Sequence, residues 1–539
     1  MQQMSGGQAL VRQLRAEGVD TVFALPGVQI MAAFDALYEA RADIRMVHVR
    51  HEQATTYMAD GYSRATGKPG VAMVVPGPGA LNATAGLGTA YASGSPVLLI
   101  SGQIPTESLG KRQGQLHEVE DQLDVFKPIT KWAHRVTRVE EVPDAVHEAF
   151  RQLTTGRPRP VELEVPPDTL ANLGDADIIE PEEYPPAAVR ARDIAHAVQM
   201  LTEAKSPTII AGGGALSAEV GAELLELARI VQAPIMTTQT SKGVIDESDP
   251  HYVGTNYVGI GPGARVLAET DVLLAVGTRL AFRQGSVEKP PRIIQIDADP
   301  DEIGRNMEAE LGIVADAKVA LSQLTAQLRS SGVSKPPRLE QIEGYRNAFQ
   351  AEIRELAPEQ TAMIDTVRER LDDDAILVSG STTVGYWSTL AYEVRQPRTY
   401  VTSGYFGTLG YAFPTALGSK VGAPDKQVVA LAGDGGFMYS PQELSTAVRY
   451  GINVVTVVFN NGMYGASRWD QTHRYGERFI GTDLANPDFV KLAESFGAVG
   501  MRTNPDGFGD ALTKALDANA PVLLEVEVPN MMPPFQIVS

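Results

Sequence analysis

Asp434 and Asn461 are the residues of this chain whose types and spacing point most directly to chemistry. Asp434 stands in Gly433-Asp434-Gly435-Gly436, directly after the apolar run Gln427–Ala432. Asn461 stands in Asn460-Asn461-Gly462, after the apolar run Asn453–Phe459. A helical pattern over Pro441–Arg449 joins the two runs, so they read as one strand–helix–strand unit. Its right-handed crossover makes the strands parallel. Both residues then leave the sheet at its carboxyl edge, where open α/β sheets bind ligands. One carboxylate, one amide oxygen and a backbone carbonyl just beyond Asn461 make a hard-oxygen set suited to Mg²⁺, which keeps its other positions for phosphate and water. Gly435 and Gly436 carry no side chains, so N–H groups at a helix start can approach a diphosphate.

Such turns need sheets behind them, and the chain supplies several. Its 539 residues exceed what one hydrophobic core accommodates. Residues 1–172 alternate short apolar strands (Thr21–Ala24, Ile44–His48, Gly70–Val75, Val97–Ser101) with helices (Gly7–Glu17, Glu52–Thr66, Ala80–Ser93). Continuously apolar strands of this kind indicate a parallel sheet covered on both faces. An acidic, Pro-containing linker, Asp175–Arg190, leads to a central segment, 190–329, with strands at Pro207–Ala211, Pro234–Thr237, Val272–Val276 and Ile293–Asp297. A second linker, Ser330–Leu339, precedes the third segment, 355–539. Val71–Gly79 and Val428–Gly436 are both buried-type strands that end in a Gly-rich turn before a helix, so the first and third segments read as two copies of one organisation. The expected fold class is α/β, in three domains with parallel sheets flanked by helices.

Composition excludes several functions. The formal charge is −20, with 46 basic against 66 acidic residues, a field that repels nucleic-acid phosphates. Cysteine is absent, which removes disulfides, thiolate catalysis and Cys-based metal sites. The N-terminus lacks the basic-then-apolar order of a secretory signal, and the apolar runs are far too short to cross a bilayer. The chain is expected in the cytoplasm, without nucleic-acid or membrane partners.

The stretch AGDGGFMYSPQELSTAVRYGINVVTVVFNNGMYG resembles the diphosphate-binding signature of the thiamine diphosphate enzymes, in the group containing acetolactate synthase, pyruvate decarboxylase and benzoylformate decarboxylase. The resemblance spans essentially the whole chain, in the order pyrimidine-binding, central and diphosphate-binding domain. It implies that Asp434, Asn461 and the Met463 carbonyl hold Mg²⁺, with Gly433, Gly435, Gly436, Tyr464 and Gly465 around the diphosphate. Glu52, in His51-Glu52-Gln53, matches the family's activating glutamate, which donates to the cofactor's pyrimidine. Leu409, in Gly407-Thr408-Leu409-Gly410-Tyr411, matches the apolar wedge over which the cofactor folds. The family also implies that one cofactor bridges two chains, hence an obligate homodimer and, by extension, a homotetramer.

The substrate pocket resembles the acetolactate synthase branch. Pro26-Gly27-Val28 has Val28 where benzoylformate decarboxylase has a serine, and Val75–Asn82 (VPGPGALN) carries no histidine beside the cofactor, with Asn82 at its end. Gln115-Leu116-His117-Glu118 replaces the branch's Phe-Gln-Glu stretch, which makes His117 the candidate for proton transfer and Gln115 a neutral hydrogen-bond donor. Arg468 and Trp469 are expected at the mouth of the pocket. The FAD-containing synthases have an Arg-Phe-Asp-Asp-like element where this chain reads Gly277–Gln284; this argues against FAD, while the Gly212–Gly214 turn leaves it open. The expected reaction is decarboxylation of a small 2-oxo acid with ligation of the acyl unit to a second carbonyl, such as an aldehyde or another 2-oxo acid. The alternative is a nonoxidative decarboxylase or a carbon–carbon lyase.

Overall fold

In the computed structural model, which describes residues 2–186, 188–257, 259–281 and 290–536, the apolar runs form three six-stranded sheets. The first contains β1 (Thr21–Ala24), β2 (Arg45–His48), β3 (Gly70–Val74), β4 (Val97–Gly102), β5 (Trp132–Arg135) and β6 (Val161–Val165). The central one contains β7 (Pro207–Ala211), β8 (Ile235–Thr238), β9 (Tyr252–Asn256), β10 (Val272–Val276), β11 (Arg292–Asp297) and β12 (Leu311–Val314). The third contains β13 (Ile376–Ser379), β14 (Tyr400–Thr402), β15 (Val428–Gly433), β16 (Val455–Asn460), β17 (Val499–Thr503) and β18 (Val522–Glu527). Every pairing within these sheets is parallel.

Strand order in the first sheet is β2-β1-β3-β4-β6-β5, and in the third β14-β13-β15-β16-β18-β17. Numbered within each sheet these are the same sequence, so the two Gly-rich turns follow topologically equivalent strands, β3 and β15. The central order, β9-β8-β7-β10-β11-β12, is that of a doubly wound sheet. Every residue of β3 and β10 is buried, which accounts for their unbroken hydrophobicity. An antiparallel ribbon, Gln2–Ser5 with Leu173–Ala176, lies outside the sheets and carries the first unit's backbone ladder past residue 172. Its strands are polar and short, and no periodicity announced them.

The first and third units share one apolar core, which includes Tyr57, Met58, Ala416, Leu417 and Phe437. Its centre is the contact of α1 (Glu52–Thr66) with α3 (Ala412–Gly422); α2 (Pro78–Ser93) packs on the other side of α1. The approach of α1 to α3 is close enough to require glycine. A Cβ on Gly418 would lie 1.9 Å from the Met58 carbonyl oxygen, and one on Gly61 would lie 2.0 Å from that of Thr415. Gly418→Val is therefore expected to force the helices apart and to lower stability by about 3 kcal/mol or more, seen as a depressed Tm. Gly344→Ala, in a helix with nothing within 4 Å of the added carbon, is the control and should be neutral or slightly stabilising. Equal Tm for Gly418→Val and wild type would contradict the packing described. Among the described residues no helix is long and apolar enough to cross a membrane.

Candidate active site

β15 and β16 pair in parallel with Gly433 opposite Phe459, so Asp434 and the Asn460-Asn461-Gly462 turn emerge side by side at the carboxyl edge of the third sheet. Asp434 is 2% exposed. Burial pushes its carboxyl above the ordinary aspartate range, while the Asn486 amide and the N–H groups of Gly435 and Gly462 draw it back. Asn486 Nδ2 donates to Asp434 Oδ2 at 2.7 Å and to Asn460 Oδ1 at 3.0 Å. No lysine or arginine pairs with Asp434 among the described residues. A buried carboxylate with no cationic partner and several neutral oxygens nearby fits a small hard cation. Among the described residues no group of three His, Cys, Asp or Glu is arranged to hold a metal, so a donor set around Asp434 must draw on neutral oxygens.

Asn461 Oδ1 accepts from the Met463 N–H at 3.2 Å, and Asn461 Nδ2 donates to Asn530 Oδ1 at 3.4 Å. Met463 bridges to Asp483 in a short antiparallel contact that lays residues 482–486 over the turn. Gly435 and Gly465 are glycines of close approach. A Cβ on Gly435 would meet the Tyr464 ring at 2.6 Å, and one on Gly465 would meet Asn461 Nδ2 at 2.8 Å. Leu409 lines the same cleft as Gly433, Gly436, Ser381 and Ser440. Its side chain is 3.8 Å from the position of a Gly436 Cβ. Gly407, at φ +63°, has open space around it.

On the first sheet, Glu52 is the first residue of α1, behind the N-cap His51. Its Oε2 accepts from Asn82 Nδ2 at 3.0 Å, and its Oε1 is 3.6 Å from the position of a Gly79 Cβ. The loops after β1 and β3 interlock: a Cβ on Gly27, next to Pro26, would strike Val75 at 2.2 Å. Gly77, at φ +58°, leaves 2.5 Å between its Cβ position and the His117 carbonyl oxygen. His117 itself has φ +68°. The structure thus gathers Pro26, Gly27, Asn82, Glu52 and His117 at one sheet edge. Gln115 is exposed, and its backbone N–H donates to Glu118.

Gln29, which sequence reasoning missed, donates through Nε2 to His117 Nδ1 at 3.2 Å and to the Leu116 carbonyl at 3.4 Å. In this amide orientation Nε2 can only donate, so the contact requires His117 Nδ1 to be unprotonated. Asn486 was missed as well. Both side chains act across the fold, on partners 88 and 52 residues away, with no local motif to mark them. Arg468 pairs with Asp483 and lies over the Phe479 ring, while Trp469 stacks on His473. In the central sheet, the Gly212 and Gly214 N–H groups donate to the carbonyls of Val276 and Gly277. Of the stretch weighed for FAD, Phe282, Arg283 and Gln284 lie outside the described residues.

Comparison with known families agrees with this division. Residues 4–125 match the thiamine pyrophosphate enzyme N-terminal TPP-binding domain, 194–324 the central domain, and 380–526 the C-terminal TPP-binding domain. The chain is 36% identical to the "Probable acetolactate synthase large subunit" of Methanocaldococcus jannaschii, covering 97% of this chain and 92% of that one. It is 33% identical to the acetolactate synthase large subunit of Corynebacterium glutamicum, over 97% and 87% of the two chains. It is 34% identical to the "Probable 2-ketoarginine decarboxylase" of Pseudomonas aeruginosa, over 92% and 88%. With two TPP-binding units flanking a central one, and relatives aligned over nearly its whole length, this chain belongs to the thiamine diphosphate-dependent enzymes, in the group resembling acetolactate synthase large subunits.

Proposed function

We propose that this chain decarboxylates a small 2-oxo acid and ligates the acyl unit to a second carbonyl, as an acetolactate synthase-like carboligase. Its similarity to acetolactate synthase large subunits over 97% of its length is the observation that carries this reading. When bound, thiamine diphosphate supplies the electron sink for such chemistry. Asp434, Asn461 and the Met463 carbonyl would hold Mg²⁺, and Gly433, Gly435, Gly436, Tyr464 and Gly465 would surround the diphosphate. Leu409 would supply the apolar side chain that supports the cofactor. Glu52 would share a proton with the pyrimidine, its carboxyl oriented by Asn82, beside Pro26 and Gly27. His117, held by Gln29, would offer an Nε2–H donor to a substrate oxygen, with Gln115 entering from the same loop.

A homodimer, extending to a homotetramer, is part of the proposal. Large apolar side chains are exposed at both edges: Val28, Leu81 and Leu116 by the first sheet, and Phe406, Met438 and Tyr439 by the third. Exposed apolar clusters of this kind favour burial against another chain. Domain limits of 1–172, 190–329 and 355–539 and a cytoplasmic setting complete the reading, the latter supported by the cysteine-free composition. FAD is not included.

The test is to incubate the Mg²⁺- and thiamine diphosphate-loaded protein with a panel of 2-oxo acids and aldehydes, following CO₂ release and product mass. Products joining two substrate carbons are expected. Free aldehyde alone would move the assignment to nonoxidative decarboxylation, the second reading, which the 34% identity to a relative named as a decarboxylase favours. Cleavage of a supplied carbon–carbon bond without CO₂ would identify a lyase.

A further inference from the structure

Glu443 is completely buried, at the end of a short turn, Pro441–Glu443, that leads into α4 (Leu444–Tyr450) of the third unit. Its carboxylate faces the first unit. Oε1 accepts the backbone N–H of Arg50 at 3.0 Å and of His51 at 3.1 Å, and Oε2 accepts that of Arg50 at 3.2 Å. Oε2 also accepts from Thr446 Oγ1 at 2.6 Å. These contacts end one residue before Glu52. Two others flank them: Tyr450 Oη receives the His48 N–H at 3.2 Å, and Gln53 Nε2 donates to the Tyr439 carbonyl at 3.2 Å. The third unit therefore grips the backbone before Glu52 and the Gln53 side chain after it, while the Glu52 side chain turns to Asn82 and Gly79 of its own unit.

We propose that Glu443 is a positioning residue for Glu52, fixing from the opposite domain the turn that carries it. The proposal rests on the reading of Glu52 as the cofactor-activating acid. A carboxylate holds N–H groups about twice as strongly as a neutral acceptor does, and only its ionised form offers both oxygens to the turn. Protonation converts one oxygen into a donor and releases part of the grip. Burial pushes the Glu443 carboxyl up to about 7, against the opposing pull of Thr446, the two backbone N–H groups and the Arg50 guanidinium. The other titratable groups packed around the turn are His48, His51, Arg449, Tyr439 and Tyr450. His48 is held low by burial and by Arg449 and Arg50, and the His51 ring accepts from the Gln53 N–H. The ionised form, with both oxygens on the turn, should accordingly predominate as pH rises through about 7, while burial of that charge lowers the closed turn's stability against an opened, solvated one.

Two measurements test this. In the cofactor-free protein, protection of residues 48–56 from amide exchange, corrected for intrinsic rates, should fall in wild type as pH rises toward about 7, because the closed turn holds a proton that the opened, solvated turn gives up, and should stay flat in Glu443→Gln. In the loaded enzyme, Glu443→Gln should lower kcat by about tenfold to a hundredfold, leave KM nearly unchanged, and lose the rise in kcat near pH 7. Exchange that is pH-independent in wild type overturns the proposal, and this arm needs no variant to fold. A Glu443→Gln enzyme with wild-type kcat and the same pH profile overturns it too. Failure of the cofactor reading is distinct: wild type would then show the exchange transition but no turnover on any substrate.

Discussion

Asp434→Ala is expected to yield a folded protein that no longer binds thiamine diphosphate at Mg²⁺ concentrations saturating the wild type. Loss of an outer partner of a metal ligand typically weakens binding by about 10- to 100-fold, so removal of the one charged ligand should exceed that. Asp434 is buried at a sheet edge where its partners are the neutral Asn486 amide and backbone N–H groups, so its removal takes away the charge at that position. Cofactor titrations at several Mg²⁺ concentrations, by calorimetry or fluorescence, would show the effect. Asp434→Asn, similar in size, separates charge from packing and should fail in the same way. Unchanged affinity with unchanged Mg²⁺ dependence in both variants would remove Asp434 from the metal site.

Glu52→Gln is expected to do the opposite. Cofactor affinity should stay within a few-fold of wild type, while kcat falls by about 10²- to 10⁴-fold, the usual worth of a positioned proton-transfer group. The contrast follows from the structure. Glu52 contacts Asn82 and Gly79 on the first sheet, apart from the elements that carry Asp434 and Asn461. Glutamine keeps the length and can still meet the Asn82 amide, but it cannot hold or release the proton. Equilibrium binding measured beside steady-state turnover distinguishes the outcomes. A variant that binds weakly yet turns over normally per bound cofactor would show that Glu52 is a binding group and nothing more.

What could be read from the sequence followed what physics makes local. β3, β10 and β15 are legible because strands buried on both faces have no polar side to interrupt them. The adjacency of the Asp434 and Asn461 turns is legible because one crossover must bring both strand ends to the same sheet edge. The close packing of α1 on α3 was not legible, because Gly61 and Gly418 each meet a backbone carbonyl on a helix far away in the chain. Glu443, Gln29 and Asn486 were illegible, since each is an ordinary polar residue whose role depends on a contact 393, 88 or 52 positions away. The pairing of Arg468 with Asp483 was illegible for the same reason: it depends on how residues 482–486 fold back.

The matching strand orders of the first and third sheets mean that one wiring diagram is used twice, and the copies differ at the bend after their third strand. After β3 that bend contains Pro76 and Pro78, which have no N–H, and the Gly77 N–H is engaged by Gln122 Oε1 at 2.7 Å. After β15 the same bend reads Asp-Gly-Gly and retains its amides. An ionic tail can therefore be received by only one of the twins. Exchanging the two bends should transplant anion affinity without redrawing either sheet.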